Sequence, residues 1–289
     1  ISTGGANANG VLVPAGVPFF GPRASSTVTV QGGSVSTSGA NSDGIRAVAG
    51  TGIATVNTTG NIVTQGTNSR GIFASGPTGV TVTNTGNVIT GGAASNGVEA
   101  VSTTGPVNVT VNSVRTSGAA SRAVVATATV GNATVNINGA INTSGTTADA
   151  LTVTSGGNSV VNVGVGGSFA ASQGNYIVLN STGPSTVNNA GVIGNNTNGL
   201  ALIATGGPIT INNSGNLSSD IVLTAGADRI NNSGAFIVGP NPDFGAGIDS
   251  LDNSGTILVG AGATAVVTPT FIGLETLTNS GLIDLRNGR

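Results

Sequence analysis

Three carboxylates recur at one place in a repeating pattern. Asp228, Asp249 and Glu275 each stand six residues before a glycine, Gly234, Gly255 and Gly281. If those segments stack as β-strands, the acids form a column with a spacing of about 4.8 Å. Stacked like charges raise one another's pKa or recruit a cation, and a carboxylate separation of about 5 Å suits retaining glycoside hydrolysis. Arg229 and Asp252 lie close by in sequence. The chain offers these acids little help: it has no His, Cys, Lys or Trp, and its one tyrosine is Tyr176. The acidic, glycine-rich nonapeptide of calcium-binding repeats is also missing. The plainer reading places the acids on a solvated edge, at a corner that points them outward. No catalytic residue, metal or cofactor is therefore assigned, and the three acids belong to the rival, enzymatic reading.

The elements that would position them are repeats. Aligning on glycine gives a column through Gly33, Gly60, Gly86, Asn112, Gly139, Gly167, Gly191, Gly215, Gly234, Gly255 and Gly281. Two residues after each stands an apolar side chain: Val35, Ile62, Val88, Val114, Ile141, Phe169, Ile193, Leu217, Phe236, Ile257 and Ile283. A second apolar column follows about ten residues later, as Val11, Ile45, Ile72, Val98, Val124, Leu151, Ile177, Leu200, Ile221, Ile248 and Leu274. Short runs of alternating β-branched and polar residues, separated by Gly, Asn, Ser and Thr, read as strands. The expected fold is all-β: a right-handed, three-faced parallel β-helix (β-solenoid) of about eleven coils of 19–28 residues. It forms one domain over 1–289, with an inserted loop at 14–23 that carries Phe19, Phe20 and three prolines. The first eleven residues copy 35–45 almost residue for residue, so the chain is expected to be a fragment of a longer array.

Composition excludes other classes. The net charge is −2 with eight cationic side chains, all arginine, which leaves no basic patch for nucleic acid. No apolar run approaches the roughly 18 residues of a membrane span. Glycine, at 49 residues, has no three-residue period, which excludes collagen.

From residue 158 onward an asparagine stands two before the repeat glycine, at Asn189, Asn213, Asn232, Asn253 and Asn279. Stacked amides at one turn can chain side chain to side chain, so this ladder is assigned a structural role, helped by the tolerance of asparagine for left-handed turns. A second polar column, Asp43, Arg70, Asn96, Arg122 and Asp149, is expected to form surface ion pairs. Thr55, Thr81, Thr134, Thr186 and Thr210 share an outward position. They could order water as an ice-binding face does, but coil lengths vary and Asn108 and Asn162 interrupt the row. Candidate contact loops are Phe19–Phe20, the turn with Asp243 and Phe244, and 268–272.

The Asn-Ser-Gly-x-apolar runs at 213–217, 232–236, 253–257 and 279–283, with the Gly-Ile/Val-x-Ala runs at 44–47, 71–74 and 97–100, resemble the passenger region of bacterial autotransporters and related β-helical adhesins. That resemblance implies export and display on the outer surface of a bacterial cell, held to the membrane only through a barrel or anchor outside this chain. The expected function is a non-enzymatic surface rod, stalk or adhesin that can also stack end to end into a filament. Its partners would be a host or abiotic surface, a glycan, or another copy of itself. The rival is a polysaccharide-acting β-helix hydrolase or lyase.

Overall fold

The computed structural model describes residues 1–13, 16–17, 21–22, 25–194, 199–259 and 268–285. Among them there is no helix; parallel strands stack as a β-solenoid of about 10 turns. Each regular turn contributes two strands to a 21-stranded sheet and one to a 9-stranded sheet. In one such turn these are Ile53–Thr58, Asn61–Thr64 and Ile72–Ser75. Every strand in these two sheets pairs in parallel with its equivalent one turn away, for example Ile72 with Ile45 and with Val98. At about 4.8 Å per step the stack is roughly 48 Å long.

Alternation along each strand separates core from solvent. In the strand Val80–Thr81–Val82–Thr83–Asn84 the first, third and fifth residues are buried and the threonines half-exposed. The first apolar column lies in register from turn to turn and is buried from Val35 to Ile257. Each such Val, Ile or Phe contributes about 1.5–3 kcal/mol relative to exposure.

The second column requires a correction at its end. Leu202, not Leu200, stands opposite Ile177, because the turn before it is two residues longer than the interval from Ile177 to Leu200. Ile248 is 78% exposed. The ladder instead continues from Val222 through Asp243 to Ile272 by parallel bridges, with Phe244 buried one residue on. Phe244 is thus a core residue, 6.3 Å from the ring of Phe271 and not on a protruding contact loop. The insertion at 14–23 carries a small antiparallel pair, Gly16–Val17 with Gly21–Pro22. Phe19 and Phe20 lie outside the described residues.

Close approach of successive turns explains the glycines. A Cβ on Gly92 would sit 1.9 Å from the carbonyl oxygen of Gly66, one turn back. One on Gly255 would sit 2.2 Å from that of Gly234. Ahead of Gly92, Thr90 donates its hydroxyl to Ser95 O (2.7 Å), and Ser95 Oγ accepts the backbone N–H of Ser69 (2.9 Å). The residue between, Ala94, has φ 53°. The same corner recurs at Thr37–Ser42, Thr64–Ser69 and Thr116–Ser121.

Candidate functional site

Strand alternation places the acids inside, which corrects the outward reading. Thr210, Arg229, Ser250 and Thr276 are paired outward neighbours, so the residues before them (Ile209, Asp228, Asp249 and Glu275) share one inward level. Further along the stack this level is filled by Val80, Val107 and Ala133. Asp228 is 1% and Asp249 0% exposed; Glu275, near the last described turn, is exposed. Each carboxylate accepts a backbone N–H one turn back. Ile209 N donates to Asp228 Oδ1 (2.7 Å), Asp228 N to Asp249 Oδ1 (2.6 Å) and Asp249 N to Glu275 Oε2 (2.6 Å). Thr224 adds its backbone N–H at 2.7 Å and its hydroxyl at 2.8 Å to Asp228. Asp249 Oδ2 has no partner. Burial, with smaller repulsion from Asp228 and Glu275, pushes the Asp249 carboxyl above its ordinary range, against the hydrogen bond from Asp228.

The asparagine ladder lies on the same inward side, at the other end of the strand. Asn189 Nδ2 donates to Asn213 Oδ1 (2.7 Å), Asn213 to Asn232, Asn232 to Asn253 and Asn253 to Asn279 (each 2.6 Å). The same amides also donate to Asn216 O, Ala235 O, Thr256 O and Leu282 O, which lie across the Asn-Ser/Ala-Gly bend. The ladder thus closes each bend while linking the turns. None of its asparagines is among the residues of positive φ, so left-handed tolerance is not their reason. In the earlier turns the same register position holds Val30, Thr58, Asn84, Val111, Ile137 and Val163. Asn84 is fully buried there, with neither amide atom partnered.

Immediately before these inward residues runs an outward amide ladder that the sequence reading missed. Its register is Thr110, Asn136, Asn162, Asn188, Asn212, Asn231, Asp252 and Thr278. Asn162 therefore belongs here, and Val160, not Asn162, interrupts the threonine row. Asn231 donates to Asn212, Asn212 to Asn188, Asn188 to Asn162 and Asn162 to Asn136 (each 2.8 Å). Asn136 donates to Thr110 Oγ1 (3.1 Å). This chain runs opposite in sense to the inward one. Arg229 Nε donates to Asn231 Oδ1 (2.7 Å) while its guanidinium pairs with Asp252 (2.7 Å). The Asn-Asn pairs at 188–189, 212–213 and 231–232 were the signal available in the sequence.

The outward ladder and the bend residues Ser214, Ser233 and Ser254 line a groove of about 890 Å³ along the axis. Asp252 is the one carboxylate on its described lining; Asp228, Asp249 and Glu275 are not on it. Elsewhere, Asp43 is buried and holds Arg70 through its backbone N–H (2.9 Å) and guanidinium (3.0 Å). Arg122 lies 3.7 Å from Asp149, and Arg46 and Arg70 lie over the ring of Phe73 at 4.6 and 3.9 Å. Among the described residues no group of three or more His, Cys, Asp or Glu could hold a metal ion, and no helix is long and apolar enough to cross a membrane.

Fold and site together define the chain as a parallel β-solenoid repeat protein. In comparisons with family models, with curated proteins and with solved structures, nothing matches the chain.

Proposed function

We propose that this solenoid is a non-enzymatic surface rod, a stalk or adhesin of the autotransporter-passenger kind, displayed outside a bacterial cell. The observation that carries the reading is the fate of the acids. Two of the three carboxylates that could have served an enzyme are inside the stack, and all three are tied to backbone N–H groups. The groove that could receive a ligand is lined instead by neutral amides and hydroxyls, with its one described carboxylate held by Arg229. An array of this kind, in which each turn contacts only its neighbours, suits extension from a surface. Parallel ladders also expose pairing groups at their ends, so stacking of copies end to end belongs to the same reading.

The test is location. An antibody raised against the purified chain should label intact cells of the producing bacterium, and protease added outside should remove the label. Label that appears only after lysis would overturn the proposal.

A further inference from the structure

We propose that the axial groove binds a neutral polysaccharide chain laid lengthwise along the outward asparagine ladder. Each ladder amide spends one N–H and one oxygen lone pair on its neighbours. The second N–H and second lone pair of each remain, and the ladder lines the groove. The hydroxyls of Ser214, Ser233 and Ser254 form a parallel row along the same groove, each donating to a backbone carbonyl one turn back and keeping acceptor capacity. Paired donors and acceptors on every turn fit a ligand that presents hydroxyl groups at regular intervals. The turn spacing of about 4.8 Å is on the order of the rise per sugar of an extended glycan, so successive sugars meet ladder amides turn after turn. From Thr110 to Thr278 the column makes seven steps, which gives roughly 34 Å, enough for several sugars in line.

Charge decides between glycan classes. Asn136, Asn162, Asn188, Asn212 and Asn231 are neutral, and the single pair Arg229–Asp252 is self-compensating. The groove therefore offers nothing to draw in a polyanion such as polygalacturonate. No aromatic side chain is on its described lining, so affinity per sugar is low and accumulates over chain length. The assignment rests on the surface-rod reading, which supplies contact with polysaccharide, yet the two fail separately. The experiment below reads the groove on purified protein, and cell labelling reads location.

Native electrophoresis of the full chain through gels containing hydroxyethyl cellulose, galactomannan, dextran or polygalacturonate tests it. At least one neutral polymer should retard the protein. The variant Asn188→Val/Asn212→Val should weaken that retardation about tenfold or more, since two amides are lost from the middle of the site. Thr83→Val, in the same outward column but off the groove, should not change it. Circular dichroism verifies folding, and Asn188→Thr/Asn212→Thr, which uses the residue found at positions 83, 110 and 278 of that column, gives a second reading if the valine variant is unstable. The proposal is overturned if no neutral polymer retards the protein, if only polygalacturonate does, or if both groove variants bind as the parent does. It is also overturned if sedimentation shows self-association that the groove variants abolish, which would make a second copy the occupant.

Discussion

Residues 84 and 213 occupy one register position of the stack, and the same substitution should have opposite effects at the two. Asn84 is fully buried with both amide atoms unpartnered, between Thr58 and Val111. A buried polar group left unsatisfied costs about 1–3 kcal/mol. Asn84→Val removes that cost and matches the aliphatic residues at 111, 137 and 163; the added volume returns up to about 1 kcal/mol as strain. The net gain is about 1–2 kcal/mol. Asn213, by contrast, accepts from Asn189 at 2.7 Å and donates to Asn232 at 2.6 Å and to Ala235 O at 2.9 Å. Asn213→Val orphans groups on both neighbours and on the bend, for a loss of about 2–5 kcal/mol. Thermal unfolding followed by circular dichroism reads both. At roughly 2–4 °C per kcal/mol, Asn84→Val should raise the midpoint by about 2–8 °C and Asn213→Val should lower it by about 4–20 °C. A fall of similar size in both variants would refute the argument that the ladder owes its stability to its neighbours.

Other expectations follow from the same contacts. Asp249 carries a raised pKa in the folded chain, so its ionised form penalises folding above that value, and the penalty is relieved as pH falls toward the ordinary 3.8. Asp249→Asn should therefore raise the urea midpoint at pH 7.5 and gain less at pH 4; an equal gain at both would contradict the burial argument. Gly92→Ala forces a Cβ against the Gly66 carbonyl and should cost about 3 kcal/mol or more, read as a lower midpoint or loss of soluble protein. Thr90→Val leaves the buried carbonyl of Ser95 without its hydroxyl donor and should cost about 1–3 kcal/mol by the same unfolding assay.

Much of this architecture was legible because a solenoid writes its core as columns. The apolar residue two after each repeat glycine identified the strand that stays buried from Val35 to Ile257. The spacing of Asn189, Asn213, Asn232, Asn253 and Asn279 was enough to suggest stacked amides. The second column failed at Leu200 and Ile248, because turn length changes there and an alignment by interval cannot see which residue faces inward. The acids were misplaced for a related reason. Counting from the glycine put Asp228 at a corner, whereas counting by twos from the buried Ile230 puts it inside. The outward ladder was missed because its members change identity, from Thr110 to Asn136 to Asp252, and only pairing across turns unites them.

The central claim is that this rod holds a glycan without cutting it. Its most direct test is the molar mass of the neutral polysaccharide that retards the protein, measured by size-exclusion light scattering before and after prolonged incubation. The account predicts an unchanged distribution. A falling molar mass that Asp228→Asn or Asp249→Asn abolishes would contradict it and restore the buried acids to catalysis.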